Sequence, residues 1–273
     1  MQKKAISIGS VVLVLAAFSA FARWIQNQAA FELETGLMKP GNPWSVITFV
    51  MVVFCLLGIC WVVRSLWYEG HYAPTELKQI IHGSPLWLGR FTKAIAAVMV
   101  VGAIIAFLVA GYELYSTMVR TLCVLAVAAA WGFVKLSELP FAEKDGEFKW
   151  TVPAALPAVM YVYWILVSYR THGAVPSVWS YAPEIFAIGV SILGTFYFAG
   201  YAFDFPKPYV TLACLLCGAY LSFMTLPDSR NAGLALMLVA GAAMQLYFAW
   251  MIITSLTDEW PEETEETDGF SEE

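Results

Sequence analysis

Charged residues are spaced so widely along this chain that it divides into long apolar stretches. No Asp, Glu, Lys or Arg falls between Lys4 and Arg23 (18 residues), Lys39 and Arg64 (24), Lys93 and Glu113 (19) or Arg120 and Lys135 (14). The habit continues between Lys149 and Arg170 (20), Glu184 and Asp204 (19), Lys207 and Asp228 (20), and Arg230 and Asp258 (27). A helix needs about 20 apolar residues to cross a hydrocarbon core of roughly 30 Å, so seven of these stretches are long enough almost unaided. The fourth, a helix over about residues 116–137, reaches span length only if Arg120 and Lys135 carry their charges to the two interfaces along their alkyl stems. The pattern predicts an all-α, polytopic transmembrane helical bundle of eight spans, with seven as the fallback.

The connections are short. The longest, residues 67–91, holds Pro74-Thr75, then Leu77, Ile80 and Ile81, and ends at Gly83. It reads as a short amphipathic helix lying flat on the inner membrane surface. After the first span, Phe31-Glu32-Leu33-Glu34-Thr35-Gly36-Leu37 and then Pro40-Gly41-Asn42-Pro43 predict a helical continuation that breaks at Gly36 and turns into the second span. With no Ser/Gly-rich linker and no internal repeat, residues 1–257 read as a single transmembrane domain. Residues 258–273 hold nine acids and no base, and have little apolar area to offset the entropy of ordering, so they read as a disordered acidic tail. The first stretch also has the layout of a signal peptide, with Lys3-Lys4 ahead of an apolar run and Ala20-Phe21-Ala22 after it. Its run exceeds the roughly 7–15 residues of a usual signal core and favours a retained span.

Placing the N-terminus inside leaves ten basic residues on inner segments and five on outer ones, Arg23, Lys39, Arg120, Arg170 and Arg230. The positive-inside rule then puts both termini in the cytoplasm and the chain in the cell membrane as a multi-pass protein. Composition agrees: 60% of residues are hydrophobic and 13% charged, against about 25% charged in soluble domains, which excludes a soluble globular enzyme. The net charge of −6 belongs to the acidic tail, and no basic cluster suits nucleic acid. The lipid bilayer is the one partner the composition demands.

The segment from Trp24 to Pro43, with its F-E-x-x-T-G-L core, and the stretch from Trp164 through the Tyr169-Arg170 pair, Tyr181, Glu184 and Ala199-Gly200 to Phe203 resemble a group of multi-span bacterial integral membrane proteins. The resemblance implies topology and brings no activity, cofactor or catalytic residue with it.

Each familiar intramembrane chemistry needs particular residues at particular spacings. A zinc peptidase needs two histidines one helical turn apart, and His71, His82 and His172 all fall in connections. An intramembrane aspartyl protease needs facing carboxylates, yet Asp204 and Asp228 border one span about 30 Å apart. A serine enzyme lacks its histidine and a P-loop its Gly-Lys-Ser/Thr. Cys214-x-x-Cys217 has metal or redox spacing without further ligands and reads as packing. No catalytic residue, metal site or cofactor is assigned, and whether the chain is an enzyme stays open.

Polar residues within spans are the better signal, since they must face the bundle or a cavity. Glu184, Ser191 and Thr195 share one stripe of the sixth span, Gly102, Ala106 and Ala110 mark a close-packing face of the third, and Gln245 reads as an interhelical hydrogen bond. The topology also brings Glu113, Arg120, Arg170, His172 and Glu184 to one outer level. The expected site pairs Glu184 with Arg170 to orient a polar ligand group, with Tyr181 and Trp179 over its apolar part. Two functional readings follow: a non-enzymatic binding or transport component for a small organic or lipidic ligand, or a structural or regulatory subunit with a membrane or cytoplasmic protein partner. An intramembrane enzyme of unrecognised type is the third.

Overall fold

The computed structural model describes residues 1–32, 37–82, 86–111, 115–138, 148–173, 178–228 and 230–257. Most of these residues are helical, and the β-pairing among them is limited to two isolated bridges, Phe31 with Met38 and Tyr72 with Thr257. The helices are α1 (Gln2–Ala29), α2 (Pro43–Tyr68), α3 (Leu77–His82), α4 (Leu86–Val109), α5 (Ser116–Glu138), α6 (Phe148–His172), α7 (Val178–Ala199), α8 (Pro208–Met224) and α9 (Ala232–Thr254), with a 3-10 turn at Gly200–Phe203. Seven of them, all but α3 and α8, are long and apolar enough to cross a membrane. The acidic segment 258–273 lies outside the described residues.

Six helices form a closed ring. Each of α4 to α8 packs on its successor, and α9 returns to α4. Helix α1 lies outside the ring against α8 and α9, and α2 packs on α1 and α8. Closure of the ring depends on missing side chains, because a Cβ on Gly102 would come within 2.9 Å of the Gly233 carbonyl, and one on Gly233 would fall on the backbone of Ala106. Gly102 and Ala106 of the small-residue stripe thus serve the close approach of α4 to α9, as their spacing indicates, and Ala110, just past the end of α4, is buried.

The uncertain fourth stretch becomes a full helix, α5, with Arg120 bonded back to the Gly111 carbonyl at 3.1 Å and Lys135 paired with Glu138 at 2.9 Å. By contrast, the 20 charge-free residues after Lys207 yield a helix of only 17, α8, about 25 Å long. Pro208 fixes its start, and Asp204, left-handed at φ 54°, turns the chain before it. A second departure concerns α1, which ends at Ala29 rather than Gly36. Beyond it Phe31 and Met38 pair, the Lys39 N–H donates to the Ala30 carbonyl at 2.8 Å, and Asn42 donates to the Ala29 carbonyl at 3.0 Å. These donors satisfy the carbonyls that the helix end leaves open. Residues 33–36 lie outside the described residues.

The start of α1 and the end of α9 share one end of the bundle. There Lys4 donates to Glu69 at 2.7 Å, the Glu69 carboxylate meets the His71 ring at 2.9 Å, and Tyr72 and Thr257 exchange backbone hydrogen bonds of 2.7 and 3.0 Å. Helix α3 buries Leu77, Ile80 and Ile81, and packs on α9. The hydrogen bonds from Lys4 and His71 hold the Glu69 carboxyl below its usual range. A depressed carboxyl contributes above its unfolded pKa and loses that contribution as pH falls through the folded value. The Lys4–Glu69 link should therefore persist at neutral pH and break only in acid. Truncation after Thr257 retains the Tyr72 pairing, and melting of the truncated protein should match the full chain; a clear fall would show that residues 258–273 dock on the bundle.

Candidate functional site

At the opposite end, four ionised side chains form a buried chain. Arg23, 1% exposed, sits on the stripe of α1 that also carries Ser19 and Gln26. Its Nε donates to Asp228 Oδ1 at 2.8 Å, Nη1 to Gln26 Oε1 at 3.1 Å and Nη2 to the Ser180 carbonyl at 2.8 Å. Asn27 donates to the same Asp228 oxygen at 2.9 Å. Arg230 Nη2 donates to the Thr225 carbonyl at 2.9 Å and lies 3.3 Å from Glu184 Oε2 and 3.8 Å from Asp228 Oδ2. Ser168 of α6 donates to the other Glu184 oxygen at 3.1 Å. The order Arg23, Asp228, Arg230, Glu184 alternates in sign and sums to zero, which offsets part of the cost of removing four charges from water, while Arg230 Nε and Nη1 and Asp228 Oδ2 have no hydrogen-bond partner.

The expected partner of Glu184 is corrected. Arg230 takes the place assigned to Arg170, which is exposed. Since Ser168 faces Glu184, a residue two positions further along α6 points about 160° away around the helix. Nor does Arg120 join the cluster: it caps the end of α4 and lies over the Phe107 ring at 5.4 Å. His172 and Tyr181 do come together, their rings stacked at 5.2 Å, and His172 Nδ1 lies 2.9 Å from the Ser168 carbonyl. Glu113 lies outside the described residues. Arg23, Asp228, Asn27 and Arg230 are the members sequence reasoning missed. The clue available was Asp228 and Arg230 standing two residues apart between apolar stretches.

The polar stripe of α7 divides between two clusters. Ser191 and Thr195 are buried with Glu184, but both bond back to their own helix, and Ser191 accepts from Gln245 Nε2 at 3.0 Å. Gln245 also donates to the Tyr161 hydroxyl at 3.0 Å, so the middle of the ring is tied across α6, α7 and α9 as the interhelical reading of Gln245 expects. A Cβ on Gly218 or on Gly241 would occupy the space of Gln245 Oε1 or of the Tyr161 hydroxyl.

Beside the ion cluster, a groove of about 590 Å³ runs between α2 and α7, floored by α8. Val46, Phe49, Val53 and Phe186 form much of its wall, Trp179 stands at its rim 58% exposed, and Arg23, Gln26, Ser45 and Thr48 line its polar end. The exposed side chains along its mouth lie on the flanks of apolar helices, so it opens sideways, toward the region that lipid would occupy. The buried hydroxyls of Ser45 and Thr48 have no hydrogen-bond partner. The hydroxyls of Thr121, Ser191, Thr195, Thr211 and Thr254 bond back to the carbonyl four residues earlier, whereas that of Ser222 in α8, away from the groove, is also buried and unpartnered. Of the residues expected to cover a ligand, Trp179 lines this groove, whereas Tyr181 is occupied with His172.

Among the described residues, no group of three or more His, Cys, Asp or Glu comes together as a metal site. Comparison of the chain with protein-family models, with curated proteins and with solved structures finds no match.

Proposed function

We propose that this protein is a membrane-embedded binding or transport component for an amphipathic, lipid-like molecule, taken sideways from the bilayer into the groove between α2 and α7. One observation carries the reading: an apolar, laterally open groove is lined at one end by Ser45 and Thr48, whose buried hydroxyls no protein group satisfies. Its volume falls within the roughly 300–1,000 Å³ typical of ligand pockets. In this reading α8 is the eighth crossing, both termini are cytoplasmic, and the Arg23 cluster lies at the outer side of the cell membrane. The ion cluster forms the rigid end of the site, while Trp179 and Phe186 cover the ligand's apolar part.

Two experiments test this reading. Reporter fusions active only outside the cytoplasm should work after Gly41 and Val175 and fail after Gly83 and Asp145, following the excess of basic residues on inner segments. Activity at Asp145 would overturn the eight-span order. Native mass spectrometry of gently purified protein should show a retained small amphiphile, depleted when Val53→Trp fills the groove. A ligand-free protein that instead carries a stoichiometric protein partner would favour a structural or regulatory subunit.

A further inference from the structure

The polar end of the groove also limits what kind of head the ligand can have, an inference that rests on the lipid-binding reading above. Arg23 is the cation at that end, and each of its three nitrogens already donates within the protein, to Asp228, Gln26 and Ser180. Asp228 lies against Arg23 and Arg230, and Glu184 against Arg230, so the two positive charges are matched by two negative ones. An anionic head would meet no uncompensated positive charge and would lie close to the Asp228 carboxylate. The unpartnered Nε and Nη1 of Arg230 and Oδ2 of Asp228 belong to the cluster behind the groove and not to its lining, where the unsatisfied groups are hydroxyls. Thr48, 3% exposed, and Ser45 both line the groove, and their hydroxyls are buried and unpartnered. A hydroxyl both donates and accepts, and suits an alcohol, ester or carbonyl.

From this geometry we infer that the groove selects a neutral amphiphile, with an apolar chain along α2 and an uncharged hydrogen-bonding head between Ser45 and Thr48. The wall from Ser45 to Leu56 runs about 16 Å along α2, long enough to shelter much of an acyl or prenyl chain. Anionic phospholipid is excluded from the polar end because the arginine there is committed to Asp228. The unpartnered hydroxyls give Thr48→Val a distinctive signature. Valine keeps the shape and removes a group that bonds to nothing in the protein, so the variant should fold as stably as the parent or better, yet bind the head less well.

The test uses the full chain in phosphatidylcholine nanodiscs, with diacylglycerol and phosphatidic acid of identical acyl chains as probes, and displacement of a photoreactive diacylglycerol as the readout. Diacylglycerol should compete at least about tenfold better than phosphatidic acid. Thr48→Val should weaken diacylglycerol about three- to tenfold, the worth of one hydrogen bond, without lowering the melting temperature. Equal or better competition by phosphatidic acid would overturn the neutral-head inference and leave the groove reading standing. So would a Thr48→Val variant that binds diacylglycerol unchanged. Photolabelling that neither probe displaces, and that Val53→Trp does not reduce, would overturn both.

Discussion

Replacing Asp228 with leucine should cost the protein about 3–5 kcal/mol, because it strands Arg23 in the interior. Arg23 is 1% exposed and would lose the carboxylate that takes its Nε at 2.8 Å, while Arg230 would keep Glu184 and the Thr225 carbonyl. The damage comes from the unpaired charge rather than from the lost contact. The double variant Arg23→Met with Asp228→Leu should therefore recover most of the stability, since two apolar side chains in place of a buried pair cost little. Chemical unfolding in detergent micelles checks both. Arg170→Gln, at an exposed position, should unfold with the parent.

Ring closure should be equally sensitive at Gly233. A Cβ there falls on the backbone of Ala106, which cannot rotate away as a side chain would. Gly233→Val should therefore force α4 and α9 apart at the cost of about 3 kcal/mol or more, at the upper end for overpacking. The separation also disturbs the neighbouring start of α9, where Asn231 caps the helix through the Gly233 N–H at 2.8 Å. Gly58→Ala is the matching control, since nothing lies within 4 Å of the added methyl. It should leave unfolding unchanged or slightly improved, and a similar loss at both positions would show that the close approach is not the cause.

The helices were legible because charge is expensive in hydrocarbon, so its spacing marks the stretches that can cross. Small residues and a polar side chain in mid-span were legible for the same reason, and Gly102, Ala106 and Gln245 take the roles their positions suggest. Where the sequence misled, the deciding term was tertiary. The partner of Glu184 depends on which face α6 turns toward α7, and that is set by Ser168. Arg23 is distant in sequence from Asp228, and only the packing of α1 against the α8–α9 hairpin joins them. α8 is shorter than its apolar stretch because a turn after Met224 closes it before the stretch ends at Asp228. The groove could not be read at all. It is a gap between two helices that both pack on α8, and a gap leaves no mark on either sequence.

A lipid-like molecule seated in that gap should be visible by photolabelling the protein in intact membranes with a chain-diazirine diacylglycerol, followed by peptide mapping of the labelled sites. Labels should concentrate on the groove wall, at Val46, Phe49, Val53, Trp179 and Phe186, and be strongly reduced by Val53→Trp at every one of them. Labels spread evenly over the outward faces of α4, α5 and α6, with the groove residues no more reactive than Ile104 or Val124, would contradict a lipid in the gap.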